Sequence, residues 1–231
     1  MRGVSKVEYI YSGISLQNKR ISNMDSLLMK SKKINGSAAL LVVVCDGVGS
    51  TSDGAFASGE TAKRLGEWFD NLEDTGRIGL KMRDEARRIN SEITASAAAQ
   101  ELQTASTLSA VLFVGEVFFI VHIGDSRVFS FDGKTLSQLT NDDVSDSGKL
   151  TAYIGLPDNM TLQYSEGQAG GKAFIVCSDG LYKRMDVRFM MSSLNADSNA
   201  SARASVNALA QFVIDRGEQD NITVALMKTI N

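Results

Sequence analysis

Residues 108–123, LSAVLFVGEVFFIVHI, form two apolar runs, Leu108 to Val114 and Val117 to Ile123, parted only by Gly115-Glu116. β-branched and aromatic residues dominate both runs, as strands require, and a two-residue break containing glycine is a tight-hairpin signal. So short a link forces the two strands to run antiparallel. The chain resumes after Gly124-Asp125-Ser126 with another apolar run, Arg127 to Phe131. Further out, Leu40 to Cys45, Ala173 to Cys177 and Ile222 to Met227 read the same way.

Helical spacing separates these groups of strands. Ala62, Leu65, Phe69 and Leu72 fall on one stripe, and Met82, Ala86, Ile89 and Ile93 continue it beyond a loop at Asp74 to Gly76. Val206, Leu209, Ala210, Val213 and Ile214 make a later stripe that stops near Gly217, where glycine suits a helix C-cap. Strands, a helix pair, more strands and a final helix predict an α+β fold of stacked layers.

Composition narrows the functional classes. The 231 residues, 43% of them hydrophobic, can bury one core, so one domain over 1–231 is expected. A net charge of −3 with scattered Lys and Arg gives no cationic face for nucleic acid. The apolar stretches are far shorter than the roughly 20 residues that span a bilayer. The N-terminus has no basic segment followed by an apolar run, so a cytoplasmic location is expected. Cys45 and Cys177 make no disulfide framework and read as small buried hydrophobes.

The chemistry-bearing signal is an echo. Val43-Val44-Cys45-Asp46-Gly47 and Val176-Cys177-Ser178-Asp179-Gly180 each put Asp-Gly where an apolar strand runs out. Glycine there lets the backbone approach a ligand. Asp220-Asn221 precedes the last strand, and Asp25 follows the first strand region. Taken singly, each aspartate suits a turn or a cap. If they converge, their repulsion calls for a cation between them, and all-oxygen ligands select Mg²⁺ or Mn²⁺ over zinc. Such a pair of ions suits hydrolysis of a phosphate ester.

From Arg20 to Met227 the chain resembles the metal-dependent protein phosphatases of type 2C. The resemblance rests on Arg20-Ile21-Ser22-Asn23-Met24-Asp25, Asp46-Gly47-Val48-Gly49, Ala105-Ser106-Thr107-Leu108 and Gly124-Asp125-Ser126-Arg127. It continues through Leu139-Thr140-Asn141-Asp142, Leu150-Thr151-Ala152-Tyr153-Ile154-Gly155, Cys177-Ser178-Asp179-Gly180-Leu181 and Asp220-Asn221-Ile222-Thr223, all in family order. It implies a layered α-β-β-α sandwich, two antiparallel sheets flanked by helices.

The resemblance also implies roles. Asp46 would bridge two Mn or Mg ions, the Gly47 carbonyl would bind one, Asp179 and Asp220 would hold the other, and Asp25 would act near them. Arg20 would clamp the substrate phosphate. Asp125 is open between a ligand of a third ion, shared with Asp179, and a turn aspartate. Asn221 would position backbone or Asp220. Met24 stands where the family often has Glu or Gln, and Val48 where some members carry a histidine; His122, in an apolar run, reads as a core residue. The segment at about 143–150 is a shortened flap, which implies an open substrate entrance.

The expected function is metal-dependent hydrolysis of phosphoserine and phosphothreonine in proteins, with a catalytically silent phosphoprotein-binding module of the same fold as the alternative. The expected partner is a phosphorylated protein, a kinase or a kinase target; nucleic acid and membrane are not expected, and a monomer is.

Overall fold

The computed structural model describes residues 7–49, 51, 53–157 and 160–230. Its elements in chain order are β1 (Glu8–Leu16), β2 (Asp25–Ile34), β3 (Ser37–Asp46), α1 (Gly54–Asp70), α2 (Ile78–Ala99), β4 (Leu108–Val114) and β5 (Val117–Ile123). They continue with β6 (Arg127–Phe131), β7 (Leu136–Gln138), β8 (Gln163–Gln168), β9 (Ala173–Cys177), α3 (Asp179–Tyr182), α4 (Val187–Ser192), α5 (Asn199–Asp215) and β10 (Ile222–Ile230).

The strands form two five-stranded sheets in the orders β1-β10-β9-β6-β7 and β2-β3-β4-β5-β8, with every pairing antiparallel. The period-2 alternation of strand side chains then sorts the core into layers. Leu40, Val42 and Val44 face the other sheet, with Val111, Phe113, Phe174, Val176, Ala225 and Met227. Their neighbours Leu41, Val43 and Cys45 face α1 and α2, beside Leu65, Phe69, Met82 and Ile89. On the opposite side Ile175, Cys177, Val224 and Leu226 pack against Val206, Leu209 and Val213 of α5. Strands apolar on both faces, such as β3, are what a sandwich covered by helices demands. The layered α-β-β-α fold inferred from the motifs is the observed one.

Between the sheets, Phe174 meets Phe113 and Phe118 edge-on, with ring centroids 5.1 and 5.0 Å apart. Gly115 has φ +58°, so the turn between β4 and β5 needs the glycine that the sequence supplies. At the end of α5, Gly217 has φ +83° and its N–H donates to the Ile214 carbonyl, as a C-capping glycine should. Both cysteines are free and buried.

The sequence reading missed β1, β2, β7 and β8. Asp25 does follow the first strand, but it also opens the second, β2. That strand carries Lys30, Lys32 and Lys33, whose alternation with apolar residues is too weak to announce an edge strand. Leu72 lies beyond α1, which ends at Asp70, although it still packs against the core formed with the helices. No helix among the described residues is long and apolar enough to cross a membrane.

Candidate active site

The two sheets end together, and there the aspartates gather. Asp25 and Asp46 stand opposite each other in the β2–β3 register. Directly opposed residues in an antiparallel pair have Cβ atoms about 4.5–5.5 Å apart, close enough for like charges to destabilise the pairing. Asp46 is fixed from both sides by Thr107: its N–H donates to the Thr107 hydroxyl at 2.9 Å, and its carbonyl accepts from the Thr107 N–H at 2.9 Å. The same hydroxyl is 2.7 Å from that of Ser126, tying the Gly124-Asp125-Ser126 loop to the end of β3.

Asp25 is buried. Its carboxylate accepts from the Ser178 hydroxyl at 2.8 Å, and the Ser178 hydroxyl in turn accepts from the Thr223 N–H. Ser178 therefore links β2, the β9–α3 junction and β10.

The glycines after the aspartates are required by close approach of backbone. A Cβ on Gly47 would lie 2.5 Å from the Gly54 carbonyl oxygen and 2.6 Å from that of Met24. One on Gly180 would lie 2.0 Å from the Asn221 carbonyl oxygen. Absence of a side chain at Gly180 is thus what lets the Asp179 and Asp220 segments touch.

Asn221 clips the loop that carries Arg20. Its amide donates to the carbonyls of Gln17 and Ser22 at 2.8 and 3.0 Å, and its oxygen accepts from the Met24 N–H at 2.9 Å. Asn18, at φ +50°, donates to the carbonyls of Glu218 and Asp220. Arg20 then lays its fork on Asp220, Nε to Oδ1 at 2.7 Å and Nη2 to Oδ2 at 2.6 Å, with the guanidinium at the exposed rim. Lys183, one turn further along the chain from Asp179, binds that carboxylate.

Electrostatics mark the cleft as short of positive charge at its centre. Burial, and then the charges of Asp25, Asp179, Asp125 and Asp220, push Asp46 well above the usual carboxylate range. Burial raises Asp25 to about 6 against the hydrogen bonds from Thr223 and Ser178, with Asp179 and Asp220 adding repulsion. Burial and Asp179 likewise raise Asp125 to about 6. Asp220 goes the other way: burial pushes it up, but the Arg20 fork and the Asn221 N–H outweigh that and leave it below its ordinary value.

Among the described residues no three His, Cys, Asp or Glu side chains stand close enough to form a ready-made metal-binding group. Asp25 opposes Asp46 in the strand register and takes the Ser178 hydroxyl, while Asp179 and Asp220 turn to Lys183 and Arg20. The donor set nonetheless fits hard divalent ions. It is all oxygen, carried at the start of β2, the end of β3, the start of α3 and the loop before β10, and its raised carboxyls mark negative charge that a cation would balance.

His122 lies outside this cleft. Its Nε2 is 3.1 Å from each of the Gly124 and Asn141 carbonyls, which can only accept, so Nε2 carries the proton and Nδ1 accepts from the Ser109 hydroxyl at 2.9 Å. Both ring nitrogens serve the core, as its place in an apolar run suggested. Residues 143–151 close a compact turn, with Val144 bridged to Leu150 and the Gly124 N–H held by the Asp143 carboxylate at 2.9 Å.

The sequence reading missed Ser178, Thr107 and Lys183 as parts of the site. Thr107 and Ser178 lay within motifs that carry the resemblance but were given no role of their own, and the i,i+4 spacing of Lys183 from Asp179 is ordinary in any helix.

The two antiparallel sheets thus bring Asp25, Asp46, Asp179 and Asp220 to one end of the sandwich, with Arg20 at its exposed rim. The chain belongs to the protein phosphatase 2C family, whose model matches residues 13–220. It is 28% identical over 217 residues to the serine/threonine protein phosphatase PstP of Mycobacterium tuberculosis, covering 84% of this chain and 41% of that protein. The chain thus spans well under half of that relative's length. It also superposes on a crystal structure of the PstP catalytic domain in complex with two manganese ions, with a TM-score of 0.81, 26% identity, and 97% of this chain and 100% of that one covered. Stp1 of Staphylococcus aureus shares the fold, with a TM-score of 0.84 at 19% identity over 97% of this chain and 95% of that one.

Proposed function

We propose that this chain is a metal-dependent serine/threonine phosphatase domain acting on phosphoserine and phosphothreonine in proteins. The carrying observation is the opposed pair formed by the buried Asp25 and the half-buried Asp46, with carboxyls raised above their ordinary range, beside Arg20. The family match and the likeness to a manganese-bound catalytic domain support the same reading.

In this reading Asp46, the Gly47 carbonyl, Asp179 and Asp220 hold two Mn or Mg ions, with Asp25 beside them and Asp125 available to a third. The chemistry the bound ions supply is an acidified water and neutralisation of charge at phosphorus. The protein's own part is positioning. Thr107 fixes the Asp46 backbone, Ser178 orients Asp25, and Asn221 holds the Arg20 loop. Arg20, whose fork now lies on Asp220, would be free to offer that planar fork to phosphate oxygens if Asp220 held a metal. His122 is committed to the core, so a metal-bound water or solvent would have to supply the proton to the leaving alkoxide. The compact turn at 143–151 is a shortened flap that leaves the cleft open, and substrates of this kind are kinases or kinase targets.

The test is hydrolysis of an aryl phosphate and of a phosphothreonine peptide with manganese, abolished by chelator. Asp46→Asn is expected to lower kcat by more than the roughly 10- to 100-fold that outer-shell partners of a metal contribute. Manganese-dependent turnover that survives Asp46→Asn undiminished overturns the assignment, and metal-dependent peptide binding without turnover identifies a silent phosphoprotein-binding module instead.

A further inference from the structure

Beside the acidic cleft lies its electrostatic opposite. A cavity of about 390 Å³ is lined by Lys183, Arg184 and Arg216. Lys183 forms the wall shared with the cleft, since its ammonium binds Asp179. Arg184 reaches Glu218 at 3.3 Å, and its guanidinium donates to the Arg216 carbonyl at 3.4 Å. Glu218 is itself buried and turned inward, accepting from the Gln219 and Asp220 N–H groups at 2.7 and 3.0 Å. Arg216 differs from the other two. Its guanidinium sits 5.1 Å from the Phe212 ring centroid, and among the described residues no carboxylate lies within ion-pair distance of it. Phe212 is stacked in turn on Phe189, at 4.1 Å between centroids, so the arginine rests on a stacked pair of rings. A guanidinium held in place over a ring, with its fork open to solvent, is prepared to receive an oxyanion.

We propose that the Lys183–Arg184–Arg216 cavity is a specificity subsite that receives a second anionic side chain of the substrate, a carboxylate or another phosphoryl group near the target phosphoresidue. The inference rests on the phosphatase reading of the adjoining cleft. If Asp179 held a metal, the Lys183 ammonium would be free to add its charge to this cavity. An extended peptide whose phosphate lies at Arg20 then has cationic ground beyond the aspartates, while the compact turn at 143–151 contributes little recognition of its own. The expected preference is for acidic or multiply phosphorylated segments over neutral ones.

The experiment compares kcat/KM for phosphothreonine peptides carrying Glu, Ala or a second phosphothreonine at each of the flanking positions. At the productive position the wild type is expected to prefer the anionic peptide by about tenfold, the scale of one charge-assisted hydrogen bond. Arg216→Gln should bring that ratio close to one, and Arg216→Lys should restore part of it. Because Arg216 is exposed at the end of α5, neither variant threatens the fold. A second readout is calorimetric titration of the purified chain with the dephosphorylated Glu peptide, which should bind more weakly to Arg216→Gln and at raised salt. A wild-type ratio near one, or a preference untouched in Arg216→Gln, overturns the subsite. Inorganic phosphate competing for Arg216 as tightly as the peptide overturns its assignment to a substrate side chain. Arg216-dependent peptide binding in a protein without hydrolysis supports the subsite and sinks only the phosphatase reading.

Discussion

Replacing Asp25 with asparagine should stabilise the metal-free protein while weakening its response to manganese. Asp25 is 8% exposed and opposes Asp46 across β2 and β3. Burial, followed by Asp179 and Asp220, raises its carboxyl from 3.8 to about 6. The folded protein therefore holds a proton that the unfolded chain has released, and wild-type stability falls as pH rises from about 4 to about 6. A rise of that size costs about 3 kcal/mol at pH values above that window. An amide keeps the shape and removes the charge, but it forfeits an acceptor for one hydrogen bond, worth about 1 kcal/mol. The net gain is about 2 kcal/mol, or roughly 4–8 °C in Tm for a chain of this size. Thermal unfolding in chelator at about pH 7.5 and about pH 4 measures it, because the gain should be present at the higher pH and nearly absent at the lower. Saturating manganese, which stabilises by about 2.7 kcal/mol at a hundredfold excess over Kd, should raise the wild type more than the variant. A variant less stable than wild type at about pH 7.5 in chelator, or a gap equal at both pH values, refutes the account of the cleft as a repulsive cluster.

Gly180→Ala forces a Cβ to within 2.0 Å of the Asn221 carbonyl, so it should separate the Asp179 and Asp220 segments, and kcat should fall together with Tm. A fully active Gly180→Ala would mean that contact is not needed. Burial depresses His122 below its ordinary value, so the unfolded chain takes up the proton first and stability is lost as pH falls below about 6.5. Urea titrations between about pH 7 and pH 5 should show a shallower loss in His122→Gln, and parallel slopes would dismiss His122 as the source. Phe174→Ala removes the ring wedged between Phe113 and Phe118 and should lower stability by about 3–5 kcal/mol, read by urea unfolding, with manganese dependence retained in the folded fraction.

What the sequence determined by itself was whatever is local or periodic. The apolar runs from Leu108 to Phe131 gave three strands with observed boundaries, because strong alternation and a Gly115 turn leave the backbone few alternatives. The stripe through Val206 and Val213 located α5 for the same reason. The sequence also presented Asp46-Gly47 and Asp179-Gly180 at strand ends, and there they lie. Weakly patterned edge strands such as β2 and β8 escaped, since their placement depends on the partner that pairs with them.

Tertiary structure decided which distant residues meet and what they do to one another. Asp25 opposes Asp46 through β2–β3 register, and Ser178 reaches Asp25 only because the sheet holding β9 and β10 packs on the sheet holding β2 and β3. The two Asp-Gly glycines proved to be sites of backbone crowding. Neither Lys183 beside Asp179 nor Arg216 over Phe212 was legible, because a charged residue on a helix looks the same whether it faces water or borders a cleft. Pattern records which face of an element is buried; the electrostatic field inside a cleft is a sum over residues far apart in the chain, and only their folded positions fix it.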